Sequence, residues 1–197
     1  MNHTAHISHI AHTAHTDSPH TARQPPYRKR LARGAAIWGA AALWLGLSLP
    51  ASAQQGSFTT KSLTPETALV AAQAALEFCR KQGFQVAVVV TDRSGLPQVL
   101  LRDRFAGAHT VDVASNKAWT AASFRTSTTS LAEETQPGKT MSGLRSLPRF
   151  MAAGGGQVIE GGGQVFGAIG ISGGPGGEAD DSCATAGIRA IADVIQF

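Results

Sequence analysis

The 197 residues, 43% of them hydrophobic, are enough for the core of one ordinary domain plus an appendage. A net charge of +4 and a pI near 9.5 suggest a nucleic-acid partner. Five of the 17 basic residues (Arg23, Arg28, Lys29, Arg30 and Arg33) but only one of the 13 acidic ones, Asp17, precede residue 54, so the rest of the chain is formally neutral and carries no nucleic-acid footprint.

The chain opens with His3, His6, His9, His12 and His15 at every third position, and His20 follows. Imidazoles bind zinc, copper or nickel. The Thr and Ala spacers supply no packing, however, and the tract precedes a leader, so no metal role is assigned to it. Residues 28–53 have the layout of a secretory signal: Arg28-Lys29-Arg30, an apolar run over 34–49, then Ala51-Ser52-Ala53. The run falls short of the roughly 20 residues that span a bilayer. Cleavage near Ala53 is expected, giving a periplasmic or secreted protein with no stable membrane anchor. Of the seven histidines, only His109 then remains.

Residues 54–63 read as a polar tether, and the domain proper as 64–197. Thr64 is a good N-cap, followed by Pro65 and Glu66. Ala68, Ala72, Ala75, Leu76 and Cys79 repeat at helical spacing, and Gly83 supplies the stop. A strand follows over 84–91, with Val86, Val88 and Val90 on one face and Ala87 and Val89 on the other. Asp92-Arg93-Ser94-Gly95 makes a tight turn into a returning strand over 96–102, which Pro97 marks as late-starting or an edge. Arg102-Asp103-Arg104 reads either as solvated ion pairs or as an anion site.

A second helix is predicted over 109–124, with Asn116 and Lys117 on its polar side or facing a pocket, and a short third helix over 126–134. Residues 135–149 form a long loop, of the kind that serves as a lid, a binding loop or a subunit contact. Short strands are expected over 150–153 and 157–160. A central strand begins at Gln164, where Gly167 and Gly170 leave room for a neighbouring element. Gly173, Gly174, Gly176 and Gly177 around Pro175 form a reversal, and Glu178, Asp180 and Asp181 start the last helix. These acids would repel phosphate, and no phosphate-loop or dinucleotide pattern occurs.

The last helix carries Cys183. It and Cys79 are expected to be buried free thiols, with a bridge between the first and last helices as the alternative. Without regular β-α-β alternation, the order of elements predicts an α+β domain. Its antiparallel sheet would have about five strands, with helices packed on it.

Five ordered blocks carry a family resemblance: residues 87–95 (Ala-Val-Val-Val-Thr-Asp-Arg-Ser-Gly) with Arg102 after the second strand; 114–121 (Ala-Ser-Asn-Lys-Ala-Trp-Thr-Ala); 154–156 (Gly-Gly-Gly); 165–173 (Val-Phe-Gly-Ala-Ile-Gly-Ile-Ser-Gly); and 180–184 (Asp-Asp-Ser-Cys-Ala). Over about 64–195 the chain resembles the GlcG/HbpS family, also called DUF336 or the haem-degrading domain. The resemblance implies a profilin-like α+β fold and homo-oligomers of small subunits. Members include secreted haem-binding proteins, a protein of glycolate-utilisation operons and a domain fused to a cobalamin adenosyltransferase.

Haem needs an apolar slot, cations for its propionates and an axial ligand. His109 is the preferred axial residue and metal ligand, with Met141 and Met151 near the loop. Arg102, Arg104 and Lys117 are candidates for the propionates. The plainer account of His109 is an ordinary exposed or hydrogen-bonded histidine. The leading expectation is an exported, oligomeric haem-binding protein, more a binder than a catalyst. The alternative is an enzyme or binding protein for a small hydroxy or keto acid, in which Arg102 clamps a carboxylate and His109 or Lys117 acts as base.

Overall fold

In the computed structural model, which describes residues 56–196, the first helix begins where the sequence predicts it. The histidine-spaced tract and the leader with its cleavage point lie outside the described residues. Thr64 is extended, and its hydroxyl accepts the Thr67 N–H at 3.2 Å, which caps α1 (Pro65–Lys81). Pro65 sits where a missing N–H costs nothing, and Arg80 and Lys81 oppose the negative end of the helix. Ala68, Ala71, Ala72 and Ala75 are buried, so α1 lies close to its neighbours. Among the described residues, no helix is long and apolar enough to cross a membrane.

The sheet is antiparallel and contains β1 (Ala87–Asp92), β2 (Pro97–Arg102), β3 (Gly156–Gly161) and β4 (Gln164–Ser172), in the order β2-β1-β4-β3. Asp92 closes the β1–β2 turn by accepting the N–H groups of Ser94 and Leu96, and Gly95 there has a φ of +80°. The predicted alternation holds. Val86, Val88 and Val90, with Ile169 and Ile171, face α1 and α4 (Gly177–Arg189), whereas Ala87 and Val89 face α2 (His109–Phe124). On the α2 side the contact is made of small residues. A Cβ at Gly170 would stand 2.1 Å from the Ala114 carbonyl oxygen, so only glycine admits the helix this close to β4.

Two expectations are corrected. The sheet has four strands, because residues 150–153 dock on α2 instead of pairing. The Thr120 hydroxyl donates to the Arg149 carbonyl and accepts the Met151 N–H, and the Phe150 ring meets Phe124 edge-on at 5.3 Å. Cys79 and Cys183 are not free thiols but form a disulfide. Their helices come together at Gly187, where a Cβ would lie 2.7 Å from the Ala71 carbonyl oxygen, and the two cysteine Cα atoms are 5.6 Å apart.

The last helix is also interrupted. α4 ends at Arg189 and a short turn of helix, α5, covers Ala192–Ile195. Between α2 and β3, α3 (Thr128–Glu134) and the 135–149 segment, which contains a short 3-10 helix over Ser142–Ser146, fold back on the domain. The Arg145 guanidinium donates to the carbonyls of Thr135 and Ala132 at the end of α3, and Arg149 lies 5.0 Å over the Trp119 ring.

The charged cluster after β2 ties the sheet to α1. Arg80 makes a two-pronged contact with buried Asp103, Nε to Oδ2 at 2.8 Å and Nη2 to Oδ1 at 3.0 Å. The Arg80 hydrogen bond holds the Asp103 carboxyl below the ordinary aspartate range; the Arg104 N–H adds to this and burial opposes it. A carboxyl lowered on folding contributes stability that is fully present above its unfolded value and lost as pH falls through its folded one. Asp103→Asn should therefore flatten the dependence of the urea midpoint on pH below about pH 5. An unchanged slope would contradict this account of Asp103.

Candidate functional site

A cleft of about 650 Å³ opens where three segments meet: the chain entering β1 at Phe84 and Gln85, the chain entering α2, and the glycine turn leaving β4. Its floor is built by Lys117. Two helical turns beyond His109, this residue points back at the sheet, and it is only 4% exposed. Its Nζ lies 2.7 Å from Asp180 Oδ2 and donates to the Ile171 carbonyl at 2.9 Å. Asp180, equally buried, accepts the Gly174 N–H at 2.9 Å on its other oxygen, so one carboxylate ties α2, the glycine turn and α4 together.

The approach is tight because Gly155 roofs the ion pair. A Cβ there would lie 2.6 Å from Asp180 Cβ and 3.0 Å from Lys117 Nζ, and its φ of +110° also favours glycine.

The mouth has a different chemistry. Phe105 is 79% exposed on one side, with Phe84 half-buried and Pro175 also in the wall. His109 is exposed and has no hydrogen-bond partner among the described residues. Its ring folds over Gly107: Cε1 and Nδ1 lie 2.7 and 2.9 Å from the place a Gly107 Cβ would take, and Nε2 lies 3.8 Å away. Nε2 is thus the ring nitrogen farther from Gly107.

The structure therefore brings His109 and Lys117 into one cleft, but leaves Arg102 and Arg104 out of its lining. Arg102 donates through Nη2 to the Ala106 carbonyl, and the Arg104 side chain is exposed while its N–H serves Asp103. Met141 and Met151 do not line the cleft either. Sequence reasoning missed Phe105, Ser172 and the partnership of Asp180 with Lys117. Strand alternation alone places Ser172 on the α2 face with Ala168 and Gly170, but the pairing of Lys117 with Asp180, 63 positions apart, has no local signal.

Chemically, the cleft offers a free imidazole and aromatic surface at its mouth and a charge-balanced polar floor. Among the described residues, no group of three or more His, Cys, Asp or Glu is placed to hold a bare metal ion. A macrocycle that brings its own nitrogens would ask the protein only for an axial donor, and His109 is the imidazole in the lining of this cleft that would supply one. The donor set fits haem on that condition.

Comparison with known proteins identifies the family and the fold. Residues 63–189 match the family model described as "Haem degrading protein HbpS-like". A double mutant of HbpS from Streptomyces reticuli is 34% identical and superposes with a TM-score of 0.66, covering 78% of this chain and 99% of that one. A structure of a PduOC:heme complex is 32% identical, with a TM-score of 0.63, covering 66% of this chain and 95% of the other. The corrinoid adenosyltransferase PduO of Salmonella typhimurium is 37% identical over 99 residues, which are 48% of this chain but only 30% of that enzyme. The family match spans nearly all of the sheet and the helices that build the cleft, and the chain belongs to the HbpS-like (DUF336) family.

Proposed function

We propose that this protein binds haem or a related tetrapyrrole in the cleft at the end of β4, with His109 as axial ligand. The observation that carries the reading is the unpartnered His109 imidazole at the mouth of a cleft of about 650 Å³ walled by Phe84 and Phe105, a volume in the range of small-molecule sites. A bound haem supplies an iron with axial positions for protein ligands. The chain's own residues have distinct tasks. His109 presents Nε2, Phe105 and Phe84 cover apolar ring surface and exclude water, and the Lys117–Asp180 pair fixes the glycine turn that forms the far wall. The heme complex of PduOC, a relative of similar fold, supports the reading.

The protein acts, on this reading, after export and as a homo-oligomer, in the periplasm or outside the cell. The leader over 28–53 supports export, as does the Cys79–Cys183 bridge, since disulfides persist in oxidising compartments. Leu100, exposed on the edge strand β2, and Leu96, exposed just before it, support association between copies. A hydroxy- or keto-acid site built on Arg102 is less favoured, because that guanidinium is engaged by Ala106 and lies off the cleft. Absorbance titration with haem, followed by size exclusion, tests the proposal: saturation at a fixed ratio per chain in an oligomeric peak is expected. A signal that never saturates contradicts it.

A further inference from the structure

The floor of the cleft holds donors that the haem reading does not use. Ser172, the last residue of β4, is 6% exposed and lines the cleft, and its hydroxyl finds no partner among the described residues. Lys117 spends two of its three N–H donors on Asp180 and Ile171. At the start of α4, the N–H groups of Gly177 and Glu178 have no intrahelical acceptor, and Gly176 at the N-cap has no side chain to cover them. Hydroxyl, ammonium and helix N-terminus border one cleft.

From this convergence we infer that the floor of the cleft is a carboxylate-binding pole, built by Ser172, Lys117 and the uncapped start of α4. The acidic residues there do not block it. Asp180 is neutralised by Lys117, and Asp181 is turned away, accepting from Gly155 N–H, the Thr129 hydroxyl and the Gln157 amide. Glu178 remains, exposed on the surface. With the single cation already balanced, the pole suits a monoanion with two acceptor oxygens better than a phosphate dianion.

One ligand chemistry fits two sources. A propionate of the tetrapyrrole that His109 ligates is one, in which case the inference rests on the function proposed above. A free small carboxylic acid is the other.

The full chain and Ser172→Ala are titrated with haem and with haem dimethyl ester, whose propionates are masked. Amide spectra are recorded in parallel with sodium acetate. A hydrogen bond to a charged group implies roughly tenfold tighter binding of haem than of its ester, with that preference abolished by Ser172→Ala. Acetate should shift the Gly176, Gly177 and Glu178 amides of the unchanged chain, a readout that does not depend on the variant.

Haem binding with no preference over the ester, together with unmoved amides under acetate, overturns the pole and leaves the haem reading standing. A preference that survives Ser172→Ala overturns the assignment of Ser172. If haem fails to bind but acetate saturates with Ser172-dependent shifts, the haem reading fails and the pole stands as a site for free carboxylic acids. Silence from both ligands overturns both.

Discussion

Replacing Lys117 with methionine should lower the stability of the domain by about 3–5 kcal/mol, the cost of stranding one member of a buried ion pair. Asp180 would keep the Gly174 N–H as a donor but lose the Lys117 ammonium, in a site only 4% exposed. The isosteric loss of charge separates this effect from a cavity, since methionine fills most of the lysine stem's volume. Replacing both partners with apolar residues should recover part of the loss. Urea unfolding with unchanged m-value is the measurement. A shift below about 0.5 kcal/mol, typical of a surface substitution, would mean that the pair is not the floor of the cleft.

The second large effect lies in the core. Changing both Cys79 and Cys183 to alanine should cost about 3–5 kcal/mol, because the bridge closes a loop between residues 104 positions apart and removes that freedom from the unfolded chain. Both cysteines are fully buried between α1 and α4. Reductant should therefore act on the unfolded chain far faster than on the native one. Guanidinium unfolding with and without dithiothreitol should give separate midpoints for the unchanged protein and one shared midpoint for the double variant. Coincident midpoints for the unchanged protein would contradict the bridge.

Much of the scaffold is legible in the sequence because its signals are local. Thr64, Pro65 and Glu66 announce α1, the alternation of Val86 to Val90 announces β1 with both its faces, and Gly170 announces the close approach of a neighbouring element, which the fold shows to be α2. Residues 150–153 mislead because an apolar stretch of that length is strand-like until Thr120 supplies its backbone partners. The bridge is not legible, since whether two helices bring Cα atoms within 5.6 Å depends on packing at Gly187.

The site divides in the same way. His109 and Lys117 stand on one helix, and spacing along α2 already sets them two turns apart. Arg102 and Arg104 are drawn into the candidate set by charge alone, but in the fold Arg102 turns to Ala106 and Asp103 pairs with Arg80 on α1. Ser172 carries no sequence signal, because a serine at the end of a strand is common, and only burial without a partner distinguishes this one.

His109 is the proposed iron ligand, and its most direct test is a haem titration of His109→Ala beside the unchanged chain, followed by absorbance. The unchanged chain should develop a sharp Soret band that saturates. In the variant, that band should be lost or broadened, with affinity reduced at least tenfold while the unfolding midpoint stays the same. An identical band and affinity in the variant would place the iron ligand elsewhere and contradict the assignment of His109.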